Sequence, residues 1–122
     1  MKYIIAAVAF TLLSSAADAN ISVKEYREFR DNKNSRAYTQ AWVEIERYLL
    51  GAGSAFQNVN VWLRGERRPA YYCPPPQLDM NVQNLESIID ARLQRMTDPK
   101  YDPIELAQIL MYGLMETFPC PK

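Results

Sequence analysis

The sequence predicts an all-α fold, a single small helical domain of about four helices with one disulfide, following an N-terminal signal peptide. Three observations predict it. Apolar residues recur three or four positions apart through most of the chain, no segment after residue 19 alternates apolar and polar residues as a half-buried strand does, and all eight prolines fall at or after Pro69. The first part of the chain is thus free to hold long helices. With 122 residues, 48% hydrophobic and 23% charged, there is apolar material for one core and too little for two.

Met1 and Lys2 precede an apolar run from Tyr3 to Leu13, then Ser14, Ser15, Ala16 and the small-residue triplet Ala17-Asp18-Ala19. This is the form of an export signal, residues 1–19, cleaved after Ala19, so the protein is expected in the periplasm. The apolar run is short of the ~20 residues that an α-helix needs to cross a bilayer, and no cysteine follows it to carry a lipid, so residues 20–122 are expected to need no membrane.

The first helix is announced by Ser22-Val23-Lys24-Glu25, a capping box in which hydroxyl and carboxylate each satisfy a backbone N–H that the helix start leaves unpaired. It should run to about Asp31, with a turn from Asn32 to Ser35, whose side chains compete for their own backbone. From Ala37 to about Leu63, apolar residues at Ala41, Ile45, Tyr48 or Leu49, Ala52, Phe56, Val59 and Leu63 mark one long amphipathic helix. Gly51 and Gly53 each cost about 1 kcal/mol there relative to alanine. Close approach of a second helix to Gly51-Ala52-Gly53-Ser54-Ala55 would offset that cost, and a kink is the alternative.

Arg64 to Gln77 lacks periodicity and contains Pro74-Pro75-Pro76, so it reads as an extended loop. Val82, Leu85, Ile89, Leu93 and Met96 give a third helix with Asp79 or Asn81 as N-cap, followed by a connector from Thr97 to Tyr101. Asp102-Pro103-Ile104-Glu105 reads as the start of the last helix, with Asp102 as cap, Pro103 at the first helical position and Glu105 two residues after it. Its inner face is Leu106, Ile109 or Leu110, Gly113, Leu114 and Thr117 or Phe118, and Pro119 ends it.

Cys73 and Cys120 both follow the export signal, in a compartment where disulfides persist, so a bridge is expected over two unpaired thiols. Closing a loop of about 48 residues is worth ~4 kcal/mol in the chain-entropy model. Two cysteines without histidine do not make a usual zinc set, so no metal and no cofactor is expected.

Composition removes several functions. The net charge is zero, which argues against nucleic acid or an anionic membrane held by bulk charge. The chain has no histidine, so imidazole bases and Ser-His-Asp sets are excluded. Carboxylate pairs remain, Glu44 with Glu46 or Asp79 with Glu86, but acidic residues on amphipathic helices are usually solvated faces, and no catalytic residue is assigned. No phosphate-binding glycine loop occurs.

The segment Trp62 to Tyr72 combines aromatics with arginines, the residue types that dominate binding hot spots. Arg64, Arg67, Arg68, Tyr71 and Tyr72 are the candidate partner-binding residues. The alternative is that Trp62, Tyr71 and Tyr72 cover the core around Cys73 while the arginines are merely exposed.

These elements together resemble the Rap1a/Tai family of type VI secretion immunity proteins. The resemblance spans residues 45–120 and rests on four features: Tyr48-Leu49-Leu50-Gly51-Ala52-Gly53-Ser54 on a helix, Tyr72-Cys73-Pro74, the helix through Leu85, Ile89 and Leu93, and a last helix with Pro103, Leu106-Ala107, Leu110 and Leu114 closing on Phe118-Pro119-Cys120. The chain departs from the pattern in having no cysteine in its first half and a longer loop before Cys73. The resemblance implies a dimeric periplasmic inhibitor, itself without activity, that occludes the active site of a peptidoglycan amidase effector. Arg64 to Tyr72 would be the contacting loop, with Thr97 to Tyr101 as second choice. A small periplasmic chaperone or stress protein with the same disulfide-closed helical form is the alternative.

Overall fold

A computed structural model describes residues 20–122, so the export signal and its cleavage after Ala19 lie outside the described residues. Four α-helices follow one another: α1 (Val23–Asn32), α2 (Thr39–Gly65), α3 (Val82–Leu93) and α4 (Leu106–Thr117), with a short 3-10 turn (Pro99–Tyr101) between the last two. No β-strand occurs among the described residues, and Cys73 is bonded to Cys120.

The capping box forms: the Ser22 hydroxyl accepts from the Glu25 amide at 3.2 Å, and the Glu25 carboxylate accepts from the Ser22 amide at 2.8 Å. These bonds hold the Glu25 carboxyl below its ordinary range. Of the two candidate caps for α3, Asn81 serves, its side-chain oxygen accepting from the Asn84 amide at 2.9 Å.

The long central helix runs unbroken through its glycines. At Gly53 a β-carbon would lie 3.1 Å from Leu85 Cδ1, so α3 does approach the small patch there, whereas Gly51 faces open space. α3 and α4 approach more closely still at Gly113, where a β-carbon would lie 2.6 Å from Ile88 Cγ2. Leu49, Leu85, Ile89, Leu106, Leu110 and Leu114 meet in the core, joined by Tyr26, Ile45 and Trp42.

The predicted stripe of α2 is corrected at one position, while Phe56 and Leu63 keep their places on it. Val59 is 40% exposed, and the buried position is Asn60.

The start of α4 is corrected as well. Leu106, not Pro103, is its first helical residue, and Asp102 does not cap it. Residues 102–105 instead lie antiparallel to the chain entering α1, with Ser22 bridged to Glu105. The Val23 and Lys24 amides donate to the Ile104 and Asp102 carbonyls at 2.9 and 3.1 Å, and the Leu106 amide donates to Ile21 at 2.7 Å. Donors that two helix starts leave open are thereby satisfied by the segments that lead into each other's helix. The Asp102 carboxylate pairs with Arg27 at 2.8 Å.

Candidate binding surface

The C-terminal end of α2 closes on itself in a defined way. The Arg67 amide donates to the Arg64 carbonyl at 3.0 Å and the Arg68 amide to the Leu63 carbonyl at 2.8 Å, which satisfies carbonyls that a helix end leaves open. This ending requires a left-handed residue after the cap, a place usually taken by glycine. Here Arg67 takes it, with φ 55°, while Gly65 lies two residues earlier inside the helix. A side chain in that conformation costs roughly 1–2 kcal/mol.

Two attachments hold the loop that follows. Asn60, 3% exposed, donates through Nδ2 to the Tyr72 carbonyl at 2.7 Å and accepts at Oδ1 from the Tyr71 amide at 2.9 Å, pairing with the loop backbone as a strand would. The disulfide ties Cys73 to the tail after α4, and the Cys73 amide donates to the Phe118 carbonyl at 2.7 Å.

The five candidate residues therefore separate. Arg64, Arg67, Arg68 and Tyr71 are exposed, Tyr71 at 51%, as is Trp62 at 56%. The Arg68 guanidinium lies 5.6 Å from the Trp62 ring centroid, and none of the three arginines enters an ion pair among the described residues. Tyr72 does not share this surface: it is 1% exposed and belongs to the core. Burial pushes its hydroxyl above the ordinary tyrosine range, with Arg64 opposing. Tyr72 thus follows the core-covering reading, while Trp62 and Tyr71 do not.

The second-choice segment, Thr97 to Tyr101, is occupied with itself. Asp98 accepts from the Lys100 amide at 2.9 Å and pairs with the Lys100 ammonium at 3.2 Å, and that ammonium lies over the Tyr101 ring.

The carboxylate pairs are each engaged elsewhere. Glu44 pairs with Arg47 at 2.9 Å, Glu46 accepts from the Trp42 indole at 3.1 Å, and Asp79 accepts from Asn81 at 3.4 Å. Glu86, 8% exposed, faces Arg30 at 3.6 Å and Lys33 at 4.0 Å, and burial raises its carboxyl above the ordinary range against the pull of those cations. Among the described residues no cluster of three or more potential ligands could hold a metal ion, and no helix is long and apolar enough to cross a membrane.

The sequence reading missed Asn60 and the left-handed Arg67. A signal for Asn60 exists: it stands four residues after Phe56 and three before Leu63, the phase of a core position, and a polar residue there needs a buried partner. Nothing local marks Arg67, because Gly65 is the residue that composition alone would place at the helix end.

No protein-family model matches the chain, and no curated protein or solved structure matches it either.

Proposed function

We propose that this protein is an exported binding protein that engages a partner protein through the end of α2 and the loop leading to Cys73. Arg64, Arg67, Arg68, Tyr71 and Trp62 carry the contact. The observation behind this reading is the unpaired arginine cluster, set on a turn where Arg67 holds a conformation that glycine adopts at lower cost. Arginines and aromatics on a preordered loop lose little entropy on binding, and the Asn60 pairing and the disulfide supply that order.

The finer proposal follows the resemblance to the immunity proteins. The partner is a type VI secretion peptidoglycan amidase, the loop occludes its active site, the protein acts in the periplasm, and it assembles as a homodimer. The disulfide is compatible with an oxidising compartment. The protein itself carries out no catalysis in this reading.

Affinity capture from periplasmic and secreted fractions tests both levels. The expected result is one stoichiometric cell-wall amidase, with affinity falling by more than about 2 kcal/mol when Arg67, Arg68 and Tyr71 are replaced together by alanine and thermal unfolding is unchanged. Unchanged affinity would move the interface elsewhere. Capture of many unfolded clients would favour a chaperone, and hydrolysis of peptidoglycan by the purified protein would overturn the binding reading.

A further inference from the structure

Beside the arginine turn, α2 and the proline loop enclose a groove of about 200 Å³. Val61, the run Pro74–Pro76 and Met80 form the apolar part of its walls, the larger share of the lining is polar, and none of its lining residues is acidic. Two of its lining residues, Arg64 and Tyr72, carry side-chain donors without partners among the described residues. Arg64 makes no ion pair among the described residues, and the buried hydroxyl of Tyr72 has no hydrogen-bond partner among them. An unpaired buried hydroxyl costs roughly 1–3 kcal/mol, which an arriving acceptor relieves.

From this combination we infer that the groove receives a carboxylate: an aspartate or glutamate side chain on an exposed, partly apolar segment of the partner protein. Arg64 supplies the charge, Tyr72 a neutral donor, and the valine, proline and methionine walls cover the apolar stem beside the carboxylate. A single guanidinium matches one carboxylate. A phosphate would call for further cations, and Arg67 and Arg68 do not line the groove. The volume admits one or two side chains, so the partner inserts a short segment here while its body meets the arginine turn. The inference rests on the binding-protein reading and adds a chemical preference to it.

The test uses the purified protein and two peptides, N-acetyl-Leu-Glu-Leu-amide and its glutamine counterpart, titrated by NMR. The glutamate peptide is expected to shift the side-chain signals of Gln57, Asn60 and Arg64 saturably, and to bind about tenfold more tightly than the glutamine peptide, since its acceptor is ionised. Arg64→Gln should abolish that preference, and Tyr72→Phe should weaken the glutamate peptide about fivefold without lowering the unfolding temperature, because it removes a hydroxyl that lacks a partner. If Tyr72→Phe does not fold, Arg64→Gln alone decides. Equal binding of the two peptides, shifts confined to another face, or no saturable shift would each overturn the inference. None of these outcomes touches the capture result for Arg67, Arg68 and Tyr71, so the two readings fail separately.

Discussion

Two tryptophans on α2, one near each end of the helix, are each covered by basic side chains, yet they sit in opposite electrostatic settings. Trp42 is 8% exposed, with Arg30 and Lys33 over its ring at 5.7 and 5.4 Å. Arg30 pairs with Asp90 at 2.8 Å, and the Tyr26 hydroxyl donates to the same carboxylate at 2.8 Å. Burial and this acceptor together push the Tyr26 hydroxyl far above the ordinary tyrosine range. Trp62 carries Arg68 at a similar 5.6 Å, but the ring is 56% exposed and the arginine has no carboxylate. The difference lies in the neighbours. α3 brings Glu86 and Asp90 to the first stack, whereas the turn at the second contributes only Glu66 among its own residues. An arginine beside an aromatic thus keeps its charge free for a partner only where the fold supplies no acid to consume it.

The disulfide gives the largest expected effect and separates the two regions. Replacing Cys73 and Cys120 together by serine should cost about 4 kcal/mol in urea unfolding. In native-state hydrogen exchange, protection at residues 66–73 should fall further than around Tyr26 and Asp90. Equal loss in both regions would show that the loop is not held independently.

Next in size is the contrast between the stacks themselves. Asp90→Ala strands the Tyr26 hydroxyl and the Arg30 guanidinium. It should destabilise the protein by about 2 kcal/mol, less than a fully buried pair would, because both ion-pair partners are about a third exposed. Arg68→Ala should stay within about 0.5 kcal/mol of the parent. Comparable costs from chemical denaturation would erase the distinction between an internal and a free cluster.

The smallest effect is the most pointed. Arg67→Gly relieves the left-handed backbone but gives the unfolded chain more freedom, so a net stabilisation of about 0.5 kcal/mol is expected by thermal unfolding, together with weaker partner binding. Lower stability would mean that the Arg67 side chain supports the fold instead of facing a partner.

Local signals were readable wherever the partner of a backbone group lies a few residues away. Ser22 and Glu25 cap α1 as their spacing predicts, and one of the two cap candidates for α3 is used. The start of α4 departs from its local signal for the converse reason. Asp102-Pro103-Ile104-Glu105 has a strong local preference for opening a helix, yet those residues pair with the chain entering α1, a competitor far away in sequence. The candidate site was legible in its residue types and only partly in its geometry. Neighbouring tyrosines looked equivalent, and the Asn60 pairing with the loop backbone accompanies the split that buries Tyr72 and exposes Tyr71.

By itself the sequence determined the all-helical class, the order of the helices and the pairing of its two cysteines, because these follow from periodicity, capping chemistry and a count of two. Tertiary structure alone decided which arginines keep their charge free, where α4 begins, and that an arginine occupies the left-handed turn. Those outcomes depend on which carboxylates and backbone groups meet across the fold, and one-dimensional spacing does not encode that.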